Sequence, residues 1–277
     1  MWIAFAFSGF VISMIVMFLI SKKWNIQFTS IREGALIAAL IAAIPFVWIY
    51  PGKSTLSYLA LCLFGQIGLA LFLAASALFL QFWRDPERIP PKTDGIIVSP
   101  ADGEVIYIRS VRGGSTPIAT KDGIDYSLHE LVGSGLLDGS LTIVGIEMNL
   151  LNVHVNRCPV KGDVAMIQHI PGKYMSLRDK KAPFLNTRCT TIISNETLMV
   201  GTVQIASRLV RKIDNYLRTG QPVKTGERLG MIRFGSQVAV IIPNDSQVLM
   251  DTYIGQHVIA GTTILARFEK RNLISAG

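Results

Sequence analysis

Apolar side chains dominate the first 83 residues, and that alone divides the chain in two. Met1 to Ser21 has no charged side chain and, at about 20 residues, is long enough to cross a bilayer as a helix. Ser54 to Trp83 is a second uncharged run, longer than one crossing requires, so its helix would tilt or project. Between them, Ala35 to Tyr50 is apolar but short. It gives roughly 24 Å of helix against a hydrocarbon thickness of ~30 Å, and Pro45 interrupts it. Two arrangements stay open: three spans, or two spans with a re-entrant or interfacial segment. Lys22, Lys23 and Arg32 lie in the first loop, Lys53 stands alone in the second, and Arg84 and Arg88 follow the third run. Short loops rich in Lys and Arg mark the cytoplasmic side. Residues 1–83 are therefore expected to be a helical anchor in the cell membrane, with 84–277 on its cytoplasmic face. Trp48, Tyr50 and Trp83 suit the interface, and no signal-peptide cleavage pattern opens the chain.

The net charge of +8 divides into +3 in the anchor and +5 beyond it. A modest basic excess beside a bilayer suits anionic lipid, although an ordinary solvated surface accounts for it equally. No basic helix or aromatic-interleaved basic stretch occurs, which argues against nucleic acid as a partner. Cys62, Cys158 and Cys189 are scattered, giving neither a disulfide framework nor a zinc site and fitting a reducing compartment. None of His129, His169 and His257 has metal-ligand spacing, and no metal is expected.

From Arg84 about 190 residues remain, enough for one domain with a sizeable core. Short β-branched runs bounded by Gly, Pro, Asp or Asn predict strands near 95–99, 103–108, 141–146, 153–155, 190–194, 198–203, 229–234 and 238–242. Ile205, Leu209, Ile213 and Leu217 recur at intervals of four and predict a helix over 204–217. Residues 255–266 and 223–230 look like the strand–turn–strand of biotinyl- or lipoyl-type sandwiches. The fold class expected is α+β: a helical anchor followed by a β-rich domain with those sandwich features.

Three residues stand in unusual contexts. Asp102 lies in Ser-Pro-Ala-Asp-Gly (99–103), His154 in Asn-Val-His-Val-Asn-Arg (152–157), and Ser236 in Arg-Phe-Gly-Ser (233–236). Taken singly each has an ordinary explanation: a turn Asp beside Pro and Gly, a hydrogen-bonded strand His, a Gly-Ser pair at a strand end. Taken together they make a Ser-His-Asp set, which is recognised by roles rather than by order in the chain. No Gly-x-Ser-x-Gly elbow surrounds Ser236, so an α/β-hydrolase is not indicated.

These segments resemble the pyruvoyl-dependent phosphatidylserine decarboxylase family in its shorter, membrane-anchored form. The likeness extends over most of the chain after residue 82, including Phe82-Trp-Arg-Asp-Pro-Glu-Arg, Pro171-Gly-Lys-Tyr and Asn186-Thr-Arg. It implies that Asp102 supports His154, that His154 takes the proton of Ser236, and that Ser236 attacks the carbonyl of Gly235. The ester formed breaks by β-elimination, and Ser236 ends as a pyruvoyl group with loss of ammonia. The products would be chains 1–235 and 236–277, a heterodimer of one precursor; whether that pair assembles further is open. The pyruvoyl carbonyl would form a Schiff base with the amine of phosphatidylserine and serve as electron sink as carbon dioxide leaves. His154 is the proton donor the sequence offers for the α carbon. Longer members carry a second His three positions earlier; here Leu151 stands there, so that role does not transfer.

Arg157 has a fork suited to a substrate phosphate or carboxylate, with a structural ion pair as the alternative. Cys158 reads as a small apolar neighbour. Three other functions remain: a membrane serine hydrolase with an intact chain, a decarboxylase of a different serine-headgroup lipid, and a tethered sandwich adaptor. No Met-Lys-Met motif supports a swinging-arm carrier.

Overall fold

The computed structural model describes residues 82–112, 117–121, 124–149, 151–179, 181–208, 212–233, 236–244 and 248–269, with isolated helical positions before them such as Phe64 and Leu71. Apart from those positions, the expected anchor lies outside the described residues. Among the described residues no helix is long and apolar enough to cross a membrane. The chain forms two compact units, Met1–Arg84 with Asn149–Leu151, and Asp85–Met148 with Asn152–Gly277. The second unit holds every strand found among the described residues.

In chain order these strands are β1 (Ile96–Val98), β2 (Gly103–Arg112), β3 (Pro117–Lys121), β4 (Ile124–Ser127), β5 (Ser140–Met148), β6 (Val155–Arg157), β7 (Gly162–Ile170), β8 (Arg188–Ser194), β9 (Met199–Ile205), β10 (Ile213–Asn215), β11 (Pro222–Val223), β12 (Arg228–Ile232), β13 (Ser236–Pro243), β14 (Val248–Met250), β15 (His257–Val258) and β16 (Ile264–Phe268), all among the described residues. Eight of them form one antiparallel sheet in the order β11-β7-β8-β9-β13-β5-β2-β15. Two three-stranded sheets, β1-β16-β14 and β10-β12-β6, and the hairpin β3-β4 complete the set.

Alternation along the strands separates two cores, because successive side chains point to opposite faces. Val238, Val240 and Ile242 of β13 join Val144, Ile146 and Met148 of β5 in one core; Ala239 and Ile241 join Leu141 and Ile143 in the other. The first core is closed by the small sheets through Ile97, Leu229, Ile232, Leu265 and Ala266. The second is closed by two short helices, α1 (Leu128–Val132) and α2 (Ala182–Leu185), through Leu128, Leu131, Val132 and Phe184. Ser127 and Glu130 form a capping box at the start of α1, each side chain bonding the other's backbone N–H. Buried Arg188 on β8 donates to the carbonyls of Leu131 and Phe184, tying both helices to the sheet.

The domain is thus β-rich with few helices. The expected helix over 204–217 is not formed: Gln204 and Ile205 end β9, and Ile213–Asn215 is β10. An interval of four fits period 2 as well as period 3.6, so the spacing does not by itself select a helix. The strand expected over 153–155 begins only at Val155. At the carboxyl end β15 and β16 flank a turn as expected, but they pair elsewhere, β15 with β2 and β16 with β1.

Candidate functional site

The turn 99–103 is fastened from two sides. Ser99 N–H donates to the Thr263 carbonyl at 2.8 Å, and Gly261 N–H donates to the Ser99 carbonyl at 2.7 Å. The Pro100 carbonyl accepts from Arg157 N–H at 2.8 Å and from Asn156 Nδ2 at 3.3 Å. Gly103 has φ 153°, and a Cβ there would stand 2.2 Å from the Glu147 carbonyl oxygen, so the close approach of β2 to β5 requires glycine. Asp102 is held at both oxygens. Oδ1 accepts from Ala260 N–H at 2.8 Å, while Oδ2 accepts from Arg88 Nη2 at 3.0 Å and from Val153 N–H at 3.4 Å.

His154 has no solvent-exposed surface. Its Nδ1 lies 2.9 Å from the Asn152 carbonyl oxygen. A carbonyl can only accept, so Nδ1 carries the proton and Nε2 is the basic nitrogen. Burial pushes the imidazole down to about 4, opposed by the Asn152 carbonyl, so it is neutral at neutral pH. The sequence predicts that Asp102 orients this ring. In the structure the carboxylate reaches the segment through Val153 N–H, and the ring's Nδ1 bonds the Asn152 carbonyl.

The His154 carbonyl accepts from Ile232 N–H at 3.2 Å, at the end of β12, a few residues before Ser236. Ser236 opens β13, a central strand, and is fully buried. Its register partner across β5 is Met148, and Ser236 Oγ donates to Met148 Sδ at 3.3 Å. The same sulfur receives Asn156 Nδ2 at 3.8 Å, and Asn156 Oδ1 receives Gln204 Nε2 at 2.8 Å. The three segments singled out in the sequence therefore meet in one buried hydrogen-bonded cluster. Phe234 and Gly235, and so the bond before Ser236, lie outside the described residues.

Arg157, the other candidate, is buried and commits its fork internally: Nη2 to Asp85 at 2.7 Å and to the Pro86 carbonyl at 2.9 Å, Nη1 to the Gly226 carbonyl at 3.2 Å. Cys158 is buried and its thiol is pushed up to about 12, chiefly by burial, which leaves little thiolate. His169 Nε2 lies 3.6 Å from Cys189 Sγ, and His257 is exposed opposite Glu104. Among the described residues no group of three or more His, Cys, Asp or Glu is placed to hold a metal ion.

Sequence reasoning missed Arg88, Met148, Asn152, Asn156 and Gln204. Met148 owes its place to cross-strand register alone and had no signal in the sequence; Asn152 acts through a main-chain oxygen, which its side chain does not announce. Arg88 ends the Phe82–Arg88 stretch, and Asn156 belongs to the histidine segment; these could have been singled out. The three segments carry a neutral imidazole, a buried hydroxyl and a carboxylate paired with a guanidinium. Those are the parts of a base-activated nucleophile.

Residues 75–266 match the family model described as phosphatidylserine decarboxylase. A phosphatidylserine decarboxylase proenzyme of Ruegeria pomeroyi is 36% identical over 222 residues, covering 80% of this chain and 91% of that one. A protein of Methanothermobacter thermautotrophicus, provisionally named an archaetidylserine decarboxylase proenzyme, is 36% identical over 211 residues, 74% of this chain and 88% of its own. Its counterpart in Methanocaldococcus jannaschii is 38% identical over 187 residues, 68% and 88% respectively.

Proposed function

The chain belongs to the phosphatidylserine decarboxylase family, and on that premise we propose that it converts phosphatidylserine to phosphatidylethanolamine and carbon dioxide through a pyruvoyl group made from its own Ser236. The observation that carries this reading is the buried cluster joining the 99–103 turn, the 152–157 segment and Ser236 through Met148 and Asn156.

The neutral His154 withdraws the proton of Ser236 Oγ, and the oxygen attacks the Gly235 carbonyl carbon. The Gly235–Ser236 peptide bond breaks as the ester forms. Loss of the Ser236 α proton then expels the Gly235 carboxylate, and the resulting dehydroalanine takes up one water and releases ammonia. Asp102, held by Arg88 and two backbone N–H groups, fixes the Val153–His154 backbone and stabilises the imidazolium as it forms. The residues fit the group: a buried serine at a strand start, excluded from water, with polar side chains around it. When present, its ketone carbonyl supplies the electron sink for the electrons left as carbon dioxide departs.

The two products would stay together. Residues 236–277 supply β13, which lies between β5 and β9 of the larger chain, as well as β15 on β2 and β16 on β1. Separating them would open the central sheet. We place this domain on the cytoplasmic face of the cell membrane, anchored by 1–83, from the Lys/Arg bias of the loops. A lipid of the same serine headgroup on an ether backbone is a second reading, favoured by the names of the two archaeal relatives.

The test is carbon dioxide release from carboxyl-labelled phosphatidylserine vesicles by protein that runs as two chains on a denaturing gel. Borohydride should abolish release by reducing the carbonyl. Fully processed protein that releases none overturns the reading, and an intact, active chain labelled at Ser236 by a fluorophosphonate makes it a hydrolase.

Arg88 yields a second expected result. Hydrogen bonds to charged groups contribute about 1.5–3 kcal/mol, so Arg88→Met should slow self-cleavage roughly ten- to a hundredfold, with Arg88→Lys recovering part. Proenzyme half-times equal to wild type would remove Arg88 from the site.

A further inference from the structure

Gln204 lies in the buried cluster, and self-processing gives it nothing to do. It is fully buried on β9, opposite Val238 in register, and so stands on the same sheet face as Ser236 and diagonal to it. The orientation of its amide is fixed by its neighbours. The Pro100 carbonyl can only accept, so Asn156 must present Nδ2 to it and Oδ1 to Gln204. Gln204 therefore donates Nε2 to Asn156 at 2.8 Å and turns its carbonyl oxygen the other way. That Oε1 is buried and has no hydrogen-bond partner among the described residues. Thr202, two residues along the same strand face, has its buried hydroxyl in the same condition. Leaving a buried amide oxygen without a donor costs about 1–3 kcal/mol. Thr202 lies opposite Val240, farther along the sheet, so the Gln204 oxygen is the unpartnered acceptor diagonal to the reacting serine, and such an atom calls for a donor.

Whatever comes to Oε1 must be a hydrogen-bond donor. The bond lost in processing and the bond made with substrate both join nitrogen to the same carbon, Cα of Ser236. Resting on the decarboxylase reading, we infer that Gln204 is the substrate-amine site: its Oε1 accepts from the amine of the serine headgroup and steers that nitrogen to the carbonyl derived from Ser236. Recognition by one buried acceptor fits a primary amine and leaves nothing to hold a headgroup that lacks N–H, such as choline.

The test uses the full-length processed enzyme in phosphatidylserine vesicles with borohydride, read by intact mass of the small chain. Amine nitrogen and ketone carbon join with loss of one water, and hydride from borohydride reduces the C=N bond to a stable adduct. Gln204→Met, of similar volume without the acceptor, should process to two chains ending in pyruvoyl but give at least a roughly tenfold lower adduct yield at subsaturating lipid, with KM raised more than kcat falls. Gln204→Glu should restore the yield at mildly acidic pH, where the buried acid stays protonated, donates to Asn156 and keeps an acceptor oxygen. Yield should fall again as pH rises, a profile that a packing role would not produce. Wild-type yield in Gln204→Met overturns the inference. Equal loss in Met and Glu variants at every pH overturns it too, assigning Gln204 to the support of Asn156. A cleaved small chain ending in dehydroalanine means that the acceptor serves the processing water instead. Should Gln204→Met not accumulate, Gln204→Asn decides, since it withdraws the amide by one carbon and wild-type yield there is fatal. A wild-type enzyme without adduct or carbon dioxide release sinks the decarboxylase reading itself, a result separate from all of these.

Discussion

Ser236→Ala is expected to remain one uncleaved chain, to release no carbon dioxide and to be indifferent to borohydride. The size of the effect follows from chemistry, because no other atom replaces Oγ as the nucleophile and as the oxygen lost in elimination. Folding should survive. The partner of Oγ is a thioether sulfur at 3.3 Å, a weak acceptor whose loss costs about 1 kcal/mol or less. The backbone of β13 keeps its pairing to β5. A thermal transition close to that of the wild-type proenzyme, together with a single band on a denaturing gel, is the anticipated pair of observations. Ser236→Cys retains a nucleophile and should cleave slowly, yet seldom give a working cofactor. A fragment beginning at residue 236 in the alanine variant means that the cleavage bond has been misassigned.

What could be read from the sequence was local. Runs such as Val238–Ile242 declared themselves by β-branched content, and they are strands. Gly162–Ile170 did not, because Asp163, Gln168 and His169 interrupt its apolar positions on a half-exposed strand. The false helix over 204–217 rested on a spacing that two periods share. At the site, Asp102, His154 and Ser236 were visible because each stands in a short, unusual context. Their supports were hidden: Met148 is an ordinary core methionine until register sets it opposite Ser236, and Gln204 an ordinary strand residue until Asn156 turns its amide. Register depends on pairing between distant segments, which composition and spacing do not encode.

His154→Ala should accumulate proenzyme as completely as the serine variant, and its wild-type counterpart should reveal the cause through pH. The imidazole titrates near 6.5 in an unfolded chain and at about 4 in the folded one, chiefly because burial disfavours the charged form. The base is thus available wherever the protein is folded and the pH exceeds about 4. Self-cleavage of newly made wild-type chain should hold steady from neutral pH down to about 5 and fall by half near 4. The same shift has a stability consequence, spread over a wider pH window. Between the two values the unfolded chain binds a proton that the folded chain refuses, so stability rises with pH across that window and is lost as pH falls through it. The loss approaches roughly 3 kcal/mol below both values. In a Ser236→Ala background, which removes processing from the measurement, His154→Gln should abolish that acid-labile part while leaving neutral-pH stability to reflect packing. Self-cleavage that halves near pH 6.5, or identical acid unfolding with and without the imidazole, means that His154 is not the buried neutral base on which Ser236 depends.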